Sequence, residues 1–441
     1  MQHFYYIILF IYIFSTSLSA DDRSNLQALL TGHPELESIR NELISLRFES
    51  NHADVYPDPK IGYALVNMPR RDGFTATPRN QRDSPMMSGQ EFSISQEIPY
   101  PGKLDAESRL ALRKSESFQI YMQVVENQFV ASFIREWINQ KNLQEEYNLR
   151  IKIHNLYKTL ENILKSSDNK KEFLKVRNES LSSEKKILEI KTELDKSKDA
   201  IEYYKSNDKS IYLEINQINL YGVLDNLYNE LSSTIESDIN NLAERSPDIR
   251  LSQSEVNVSK LSQELDGIRH YPDMEIFLSY LKRNINRLPE FNPTDPAMNE
   301  IYPQEYRGDL ISFGVSFRIP VWSLAKQKDL NNASMANYQK SQSIAETKRK
   351  RIHNILKLSL NEFNNQSKQL EFYDKKLITG LRGSYSSYQA SYSASQGDIG
   401  TAIGFRIQEF EAMADRTNTV RKKYLALTGI LEAADSLRSL L

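Results

Sequence analysis

The residue types that could do covalent or metal chemistry are present without the spacing that would let them do it. The six histidines, His3, His33, His52, His154, His270 and His353, include no HxxxH or HxxEH arrangement, so no two imidazoles share a helical face at metal-ligating distance. There is no cysteine, which excludes disulfides, thiolate nucleophiles, Cys-ligated zinc and a lipid-carrying N-terminal Cys. No Walker loop and no GxSxG occurs, and the acidic pairs sit on charged helical stretches where they read as solvated faces. The expectation is a chain with no catalytic residue, no cofactor and no metal site. Two carboxylates stand apart, Asp168 in Ser166-Ser167-Asp168-Asn169 and Asp398 in Ser395-Gln396-Gly397-Asp398, each in a polar turn between long helical stretches. Repeated around a symmetric axis, either would make a carboxylate ring that favours cations and repels anions. The plainer reading of both is a turn former.

Length and charge narrow the class. The chain has 441 residues, 39% of them hydrophobic, enough apolar surface for a core or a long bundle. Lys plus Arg number 56 and Asp plus Glu 58, so no cationic surface for nucleic acid is implied. Met1 to Ala20 has the layout of a secretory signal: an apolar run from Tyr5 to Phe14, then small residues, then Asp21-Asp22. The missing Lys or Arg at the start and the bulk of Leu18 leave a retained anchor as the other reading. No later segment offers the roughly 20 apolar residues of a spanning helix. A mature chain that enters a membrane must therefore do so as strands.

The prolines divide the chain. All 15 fall between Pro34 and Pro101 or between Pro247 and Pro320, leaving two long stretches where helices can run unbroken. The two proline windows are similar to each other. Tyr56-Pro57-Asp58 recurs as Tyr271-Pro272-Asp273, His33-Pro34-Glu35-Leu36 as Ser246-Pro247-Asp248-Ile249, and the run from Phe92 to Pro99 as that from Phe313 to Pro320. Three echoes in the same order indicate a duplication. In the last window Ile311, Phe313, Val315, Phe317 and Ile319 alternate with Ser312, Gly314, Ser316 and Arg318, the period of a strand between an apolar and a polar surrounding. Soluble hairpins packed on a bundle are the alternative. Between the windows, Phe173, Ser180, Ile187, Leu194 and Ile201 fall at seven-residue steps, with Val176, Ser183, Ile190, Ser197 and Tyr204 interleaved, the seam of a coiled-coil-like helix. The expected order is a signal peptide at 1–20, then repeat 1 at 21–238 and repeat 2 at 239–441. Repeat 1 has strands at about 57–68 and 89–99 and long helices at about 103–165 and 170–205; repeat 2 has strands at about 273–283 and 309–320 and long helices at about 322–394 and 399–440.

This arrangement resembles the TolC family of outer-membrane efflux proteins over essentially the whole mature chain. The likeness is greatest to the heavy-metal efflux, CzcC/CusC-like branch. It is carried by Tyr56-Pro57-Asp58-Pro59 and by the run from Gln96 through Pro99, Pro101, Gly102 and Lys103 to Leu104. The resemblance implies a mainly α chain with transmembrane β structure, forming a trimeric outer-membrane β-barrel with four strands per chain. A long periplasmic α-helical barrel would continue it, the whole built from two internal repeats. It implies a homotrimer set in outer-membrane lipid, a periplasmic adaptor and an inner-membrane pump as partners, and no enzymatic activity. In such an assembly Asp398 and Asp168 are candidates for the pore constriction, and Gly397, Gly400, Gly404, Ser167 and Asn169 for the adaptor-docking tips. The passing substrates could be metal cations or drugs. A type I secretion exit duct, or a non-channel periplasmic coiled-coil adaptor or scaffold, are the alternatives. The first tip, residues 166–173, has no glycine, and without a lipid-bearing cysteine the barrel alone would hold the chain in the membrane.

Overall fold

The computed structural model describes residues 32–67, 89–165, 170–204, 219–237, 239–283, 308–319, 321–394 and 399–441. The elements run α1 (Pro34–His52), β1 (Lys60–Val66), β2 (Gly89–Ile98), α2 (Lys103–Lys165), α3 (Lys170–Glu202), α4 (Leu220–Ser237), α5 (Ile239–Glu244), α6 (Pro247–Ile268), β3 (Met274–Arg283), β4 (Leu310–Phe317), α7 (Val321–Phe372), a π turn (Tyr373–Leu377), α8 (Ile378–Ser393), α9 (Ile399–Ala433) and a closing 3-10 turn (Leu437–Leu440). Helix α2 holds 63 residues, a rod of about 95 Å at 1.5 Å per residue.

Two differences from the sequence reading have simple causes. The proline windows contain helices as well as strands, because Pro34 and Pro247 are the first residues of α1 and α6. At that position a missing N–H costs nothing and the fixed φ suits the helix. The long stretch from 322 is also not one α-helix. At Tyr373–Leu377 it widens to a π turn, the Ile378 N–H reaching back five residues to the Tyr373 carbonyl. Such a one-residue insertion rotates the following seam, and no proline or glycine marks it in advance.

The chain divides into two compact units, one of Met1–Ser45, Glu116–Val256 and Ser341–Leu441, the other of Leu46–Ser115 and Asn257–Lys340. In the first, α3 shows the narrow seam of its heptads: Val176, Ser180, Ser183, Leu194, Ser197 and Ile201 are buried, and the residues around them are largely exposed. Helix α2 departs from that pattern. From Phe129 to Ile138 it is buried almost all round, against Leu220 and Leu224 of α4, Leu427 and Leu431 of α9, and Leu437 and Leu440. The run Phe129-Val130-Ala131, then Phe133-Ile134, then Trp137-Ile138, is apolar over about 200° of the helix, with Ser132, Arg135 and Glu136 on the remainder, a face broader than a seam. A second core joins Leu242 and Ile249 to Ile352, Leu356 and Leu360 of α7 and Ile430 of α9. A third sets Ile153 of α2 against Ile403 and Ile407 of α9. Burial pushes the Glu432 carboxyl above its usual range, with the nearby Arg135 guanidinium pulling the other way.

The second unit holds the sheet, in the order β1-β2-β3-β4 with all neighbours antiparallel. Beside it, Ala106 and Leu110 of α2 pack with Val258, Leu261, Leu265 and Ile268 of α6.

Phe133 is only 1% exposed, so Phe133→Ala should lower stability by about 3–5 kcal/mol, read as an earlier midpoint in denaturant unfolding of the detergent-solubilised protein. Lys185→Ala, on the exposed side of α3, should change it by less than about 0.5 kcal/mol.

Candidate functional site

The sheet has two faces of opposite chemistry, and the strand register sets them. Opposed residues in an antiparallel pair share a face. The row Ile61, Ile94, Leu278 and Phe313 therefore lies on one side, with Tyr63, Phe92, Tyr280 and Ile311 beside it. These side chains face outward: Ile61 is 85% exposed, Ile311 75% and Phe313 71%. An apolar area of this extent, four strands wide, has no cover among the described residues.

The other face carries the alternate residues. One row across it is Gly62, Ser93, Ser279 and Ser312. Next to that row Ser95 donates to Glu275 Oε1 at 2.8 Å, and Lys60 Nζ lies 3.7 Å from Glu97 and 4.0 Å from Glu275. Besides Val66, Leu281 and Leu310 towards one end, this face carries Phe277, which lies over Gly314, where a Cβ would come within 2.4 Å of its ring. Glycine at 314 is thus a matter of space: the β4 backbone is the floor on which the Phe277 ring rests. The outermost strands β1 and β4 each have one neighbour among the described residues.

The motif residues gather where strand becomes helix. Tyr56, Pro57 and Asp58 precede β1 and are exposed, Gln96 lies in β2, and Pro99 and Pro101 bracket the link to Lys103, the first residue of α2. Gln96 Nε2 donates to the Pro57 carbonyl at 2.6 Å. Gly102 has φ 90°, a left-handed conformation that glycine takes without strain. The decisive partner comes from the second copy of the Tyr-Pro-Asp motif. Asp273 accepts the Tyr100 N–H at 2.9 Å and the Lys103 ammonium at 2.7 Å, and the Tyr100 and Tyr271 rings stack at 4.4 Å. Burial works against ionisation of Asp273, but those two hydrogen bonds and the charges of Lys103 and Arg318 outweigh it and hold the carboxyl below the usual range. The sequence displayed both motifs without revealing that one fastens the other.

Asp168, Asp398, Gly397, Ser167 and Asn169 lie outside the described residues, as does the side chain of Trp322. Gly400 and Gly404 lie in the first turns of α9 and are half-buried, beside Ile403 and Ile407, which pack on Ile153. Sequence reasoning missed a charged cluster one turn further on. Glu409 is wholly buried; it accepts from Arg382 Nε at 3.1 Å and pairs with Arg406. The Arg406 guanidinium also lies over the rings of Tyr385 and Phe410, 5.1 and 4.6 Å from their centroids. Nearby, the π turn presents Asp374 to Arg416, which donates through both Nε and Nη2 at 2.5 and 3.2 Å. Partners 27 and 42 residues apart leave no local spacing to find them by. Burial first, and then the charges of Glu179 and Glu411, push the Tyr157 phenol above its ordinary value. Among the described residues no group of three His, Asp or Glu could hold a metal ion, and no helix is long and apolar enough to cross a membrane.

No family model and no curated protein matches the chain. Solved structures do. The Campylobacter jejuni CmeC outer membrane channel superposes with a TM-score of 0.70 at 12% identity, over 94% of this chain and 85% of that one. CusC gives 0.66 at 11%, over 95% and 92%, and the Vibrio cholerae outer membrane protein VceC 0.64 at 11%, over 94% and 96%. The chain has the fold of a TolC-type outer-membrane channel. At these identities the likeness lies in architecture: the mainly helical chain and the four-stranded antiparallel sheet correspond, while most side chains differ.

The Phe277–Gly314 contact yields a paired expectation. Gly314→Ala should weaken the folded sheet, seen as lost protease resistance of the membrane-inserted chain. Adding Phe277→Ala should restore much of that loss by vacating the space the new methyl needs. Equal loss in the single and double variants would mean that the ring does not limit position 314.

Proposed function

We propose that the chain is one protomer of a trimeric outer-membrane exit duct, a passive channel through which an inner-membrane pump and a periplasmic adaptor expel substrates. The observation that carries this reading is the sheet, with one broad apolar face, one small and polar face, and two outer strands that each have one neighbour among the described residues. In lipid a strand edge leaves backbone groups without partners, so only a closed barrel is stable there. Strands β1 and β4 run in opposite senses, so β4 of one copy can pair with β1 of the next and keep the ladder antiparallel. Three copies give about twelve strands, a size that such barrels adopt. The apolar face then meets lipid, and the face of Ser93, Ser279, Ser312 and Glu275 meets water.

The fold shared with CmeC, CusC and VceC, all described as channel-forming or outer membrane proteins, supports the same reading. Outer-membrane location with the helices in the periplasm, cleavage of 1–20 as a signal peptide, and the division into repeats at 21–238 and 239–441 belong to it. The links from Tyr56 to Asp58 and from Gln96 to Lys103 are what favour the heavy-metal efflux branch, and the cargo in this reading is metal cations or drugs. The broad exposed apolar face argues against a water-soluble adaptor or scaffold. The segments 166–169 and 395–398, with Gly400 and Gly404, serve in this reading as the adaptor-docking ends, and Asp398 and Asp168 as the carboxylates of the pore constriction.

Purified protein added to a planar bilayer should give discrete, cation-preferring conductance steps, and Asp398→Ala should reduce that preference several-fold without abolishing insertion. A protein that inserts nothing removes the channel reading. Steps with unchanged selectivity in the variant remove the role of Asp398 alone.

A further inference from the structure

Charge on the polar face of the sheet is gathered at the two ends of the strands. The middle row of Gly62, Ser93, Ser279 and Ser312 carries none. Within the four strands the charged residues of this face are Lys60, Glu91, Glu97, Glu275 and Arg283. Glu91 and Arg283, one of each sign, stand at the end where β2 begins. Lys60, Glu97 and Glu275 stand at the end where β2 runs into α2.

Glu97 and Glu275 are register partners across the ladder of β2 and β3. Like charges placed directly opposite weaken an antiparallel pair, a cost that the serine pair Ser93 and Ser279 avoids. The chain offsets it in part. Ser95 donates to Glu275 Oε1 at 2.8 Å and Ser316 to Glu275 Oε2 at 3.5 Å. Lys60 of β1 brings one ammonium near both carboxylates, 3.7 Å from Glu97 and 4.0 Å from Glu275. At those distances it acts as a neighbouring charge and not as a hydrogen-bond donor, and its side chain is 64% exposed. The pair of glutamates thus already attracts the one cation that the chain supplies, and one negative charge per copy is left uncancelled.

The size of the proposed barrel brings that charge to bear on whatever passes. About twelve strands, spaced about 4.8 Å apart and tilted about 40°, close at a backbone radius of about 12 Å. Side chains projecting inward then lie less than about 10 Å from the axis, and the Debye length is about 10 Å at 0.1 M salt. At that ionic strength every passing ion feels the ring. At about 1 M the length falls to about 3 Å and the centre is screened.

We infer that Glu97 and Glu275, moderated by Lys60, form a cation-selecting ring in the barrel wall that acts independently of Asp398. The cargo it favours is positively charged: metal cations or cationic drugs over anionic ones. This rests on the trimeric channel reading and adds to it a determinant of charge selection carried by the sheet itself.

The test is the reversal potential of the full-length protein in a planar bilayer across a potassium chloride gradient. With the dilute side at about 0.1 M, Glu97→Gln combined with Glu275→Gln should lower the potassium-over-chloride permeability ratio several-fold. Glutamine keeps the acceptor that Ser95 uses. Lys60→Gln should raise the ratio, and both shifts should shrink sharply near about 1 M. Both should persist in an Asp398→Ala background, and Lys282→Gln, a charge change on the apolar side, should leave the ratio unchanged. A general lesion in the fold would not move the ratio in opposite directions for opposite charges, and Glu97→Gln alone replaces the double variant if that one does not insert. If the unmodified protein conducts but the glutamate variants keep its ratio at low salt, or Lys60→Gln does not raise it, the ring is refuted and the channel stands. If the unmodified protein gives no conductance steps, the channel reading fails and the ring with it.

Discussion

A backbone amide placed in hydrocarbon has no water to bond, and each one left unpaired costs several kcal/mol. That constraint gives the four-stranded sheet its meaning. Among the described residues the ladders from β1 to β4 satisfy the inner strands and give β1 and β4 one neighbour each. A water-soluble protein would blunt such edges with charge or cover them, and would bury a face carrying Ile61, Phe92, Leu278 and Phe313. Here that face is uncovered among the described residues, while the opposite one carries Ser93, Ser279, Ser312, Glu97 and Glu275 beside Phe277. The asymmetry fits a wall between lipid and water.

The duplication extends the same logic to the helices. Each repeat contributes two strands, a short helix and a pair of long ones, and the contact that joins the repeats is built from α6 against α2 and from β2 against β3. An object made of similar units joined by one recurring contact has two open ends unless it closes on itself. The Asp273 anchor shows how the junction from strand to helix is held. The second Tyr-Pro-Asp motif supplies the carboxylate, and the first repeat supplies Tyr100 and Lys103.

Much of this architecture was legible because it rests on short-range rules. Alternation marked β4, since its two faces meet opposite surroundings. Seven-residue steps marked the α3 seam, since a narrow contact needs only one stripe. Proline-free length marked α2. The remainder depends on partners far apart in sequence. Helices α1 and α6 were hidden because the proline that forbids a helix interior is well suited to a helix start. The enclosure of α2 around Phe133 depends on α4 and the C-terminal turn arriving from elsewhere in the chain. The ion pairs Arg382–Glu409 and Arg416–Asp374 link residues tens of positions apart, and the π turn at Tyr373–Leu377 has no marker residue. Among the candidate tip residues, Gly400 and Gly404 are described and take their places in α9, whereas Asp398, Asp168, Gly397, Ser167 and Asn169 lie outside the described residues.

The claim on which the account turns is that the two faces of the sheet meet different media. Because the chain has no cysteine, single cysteines can be placed one at a time from Ile311 to Phe317 in the membrane-inserted protein, leaving Gly314, which the Phe277 ring covers, unchanged. Each would then be offered a lipid-soluble or a charged, water-soluble maleimide. The account predicts strict alternation: positions 311, 313, 315 and 317 react only with the lipid-soluble reagent, and positions 312 and 316 react with the charged one. Labelling of all six positions by the charged reagent, with no alternation, would contradict it.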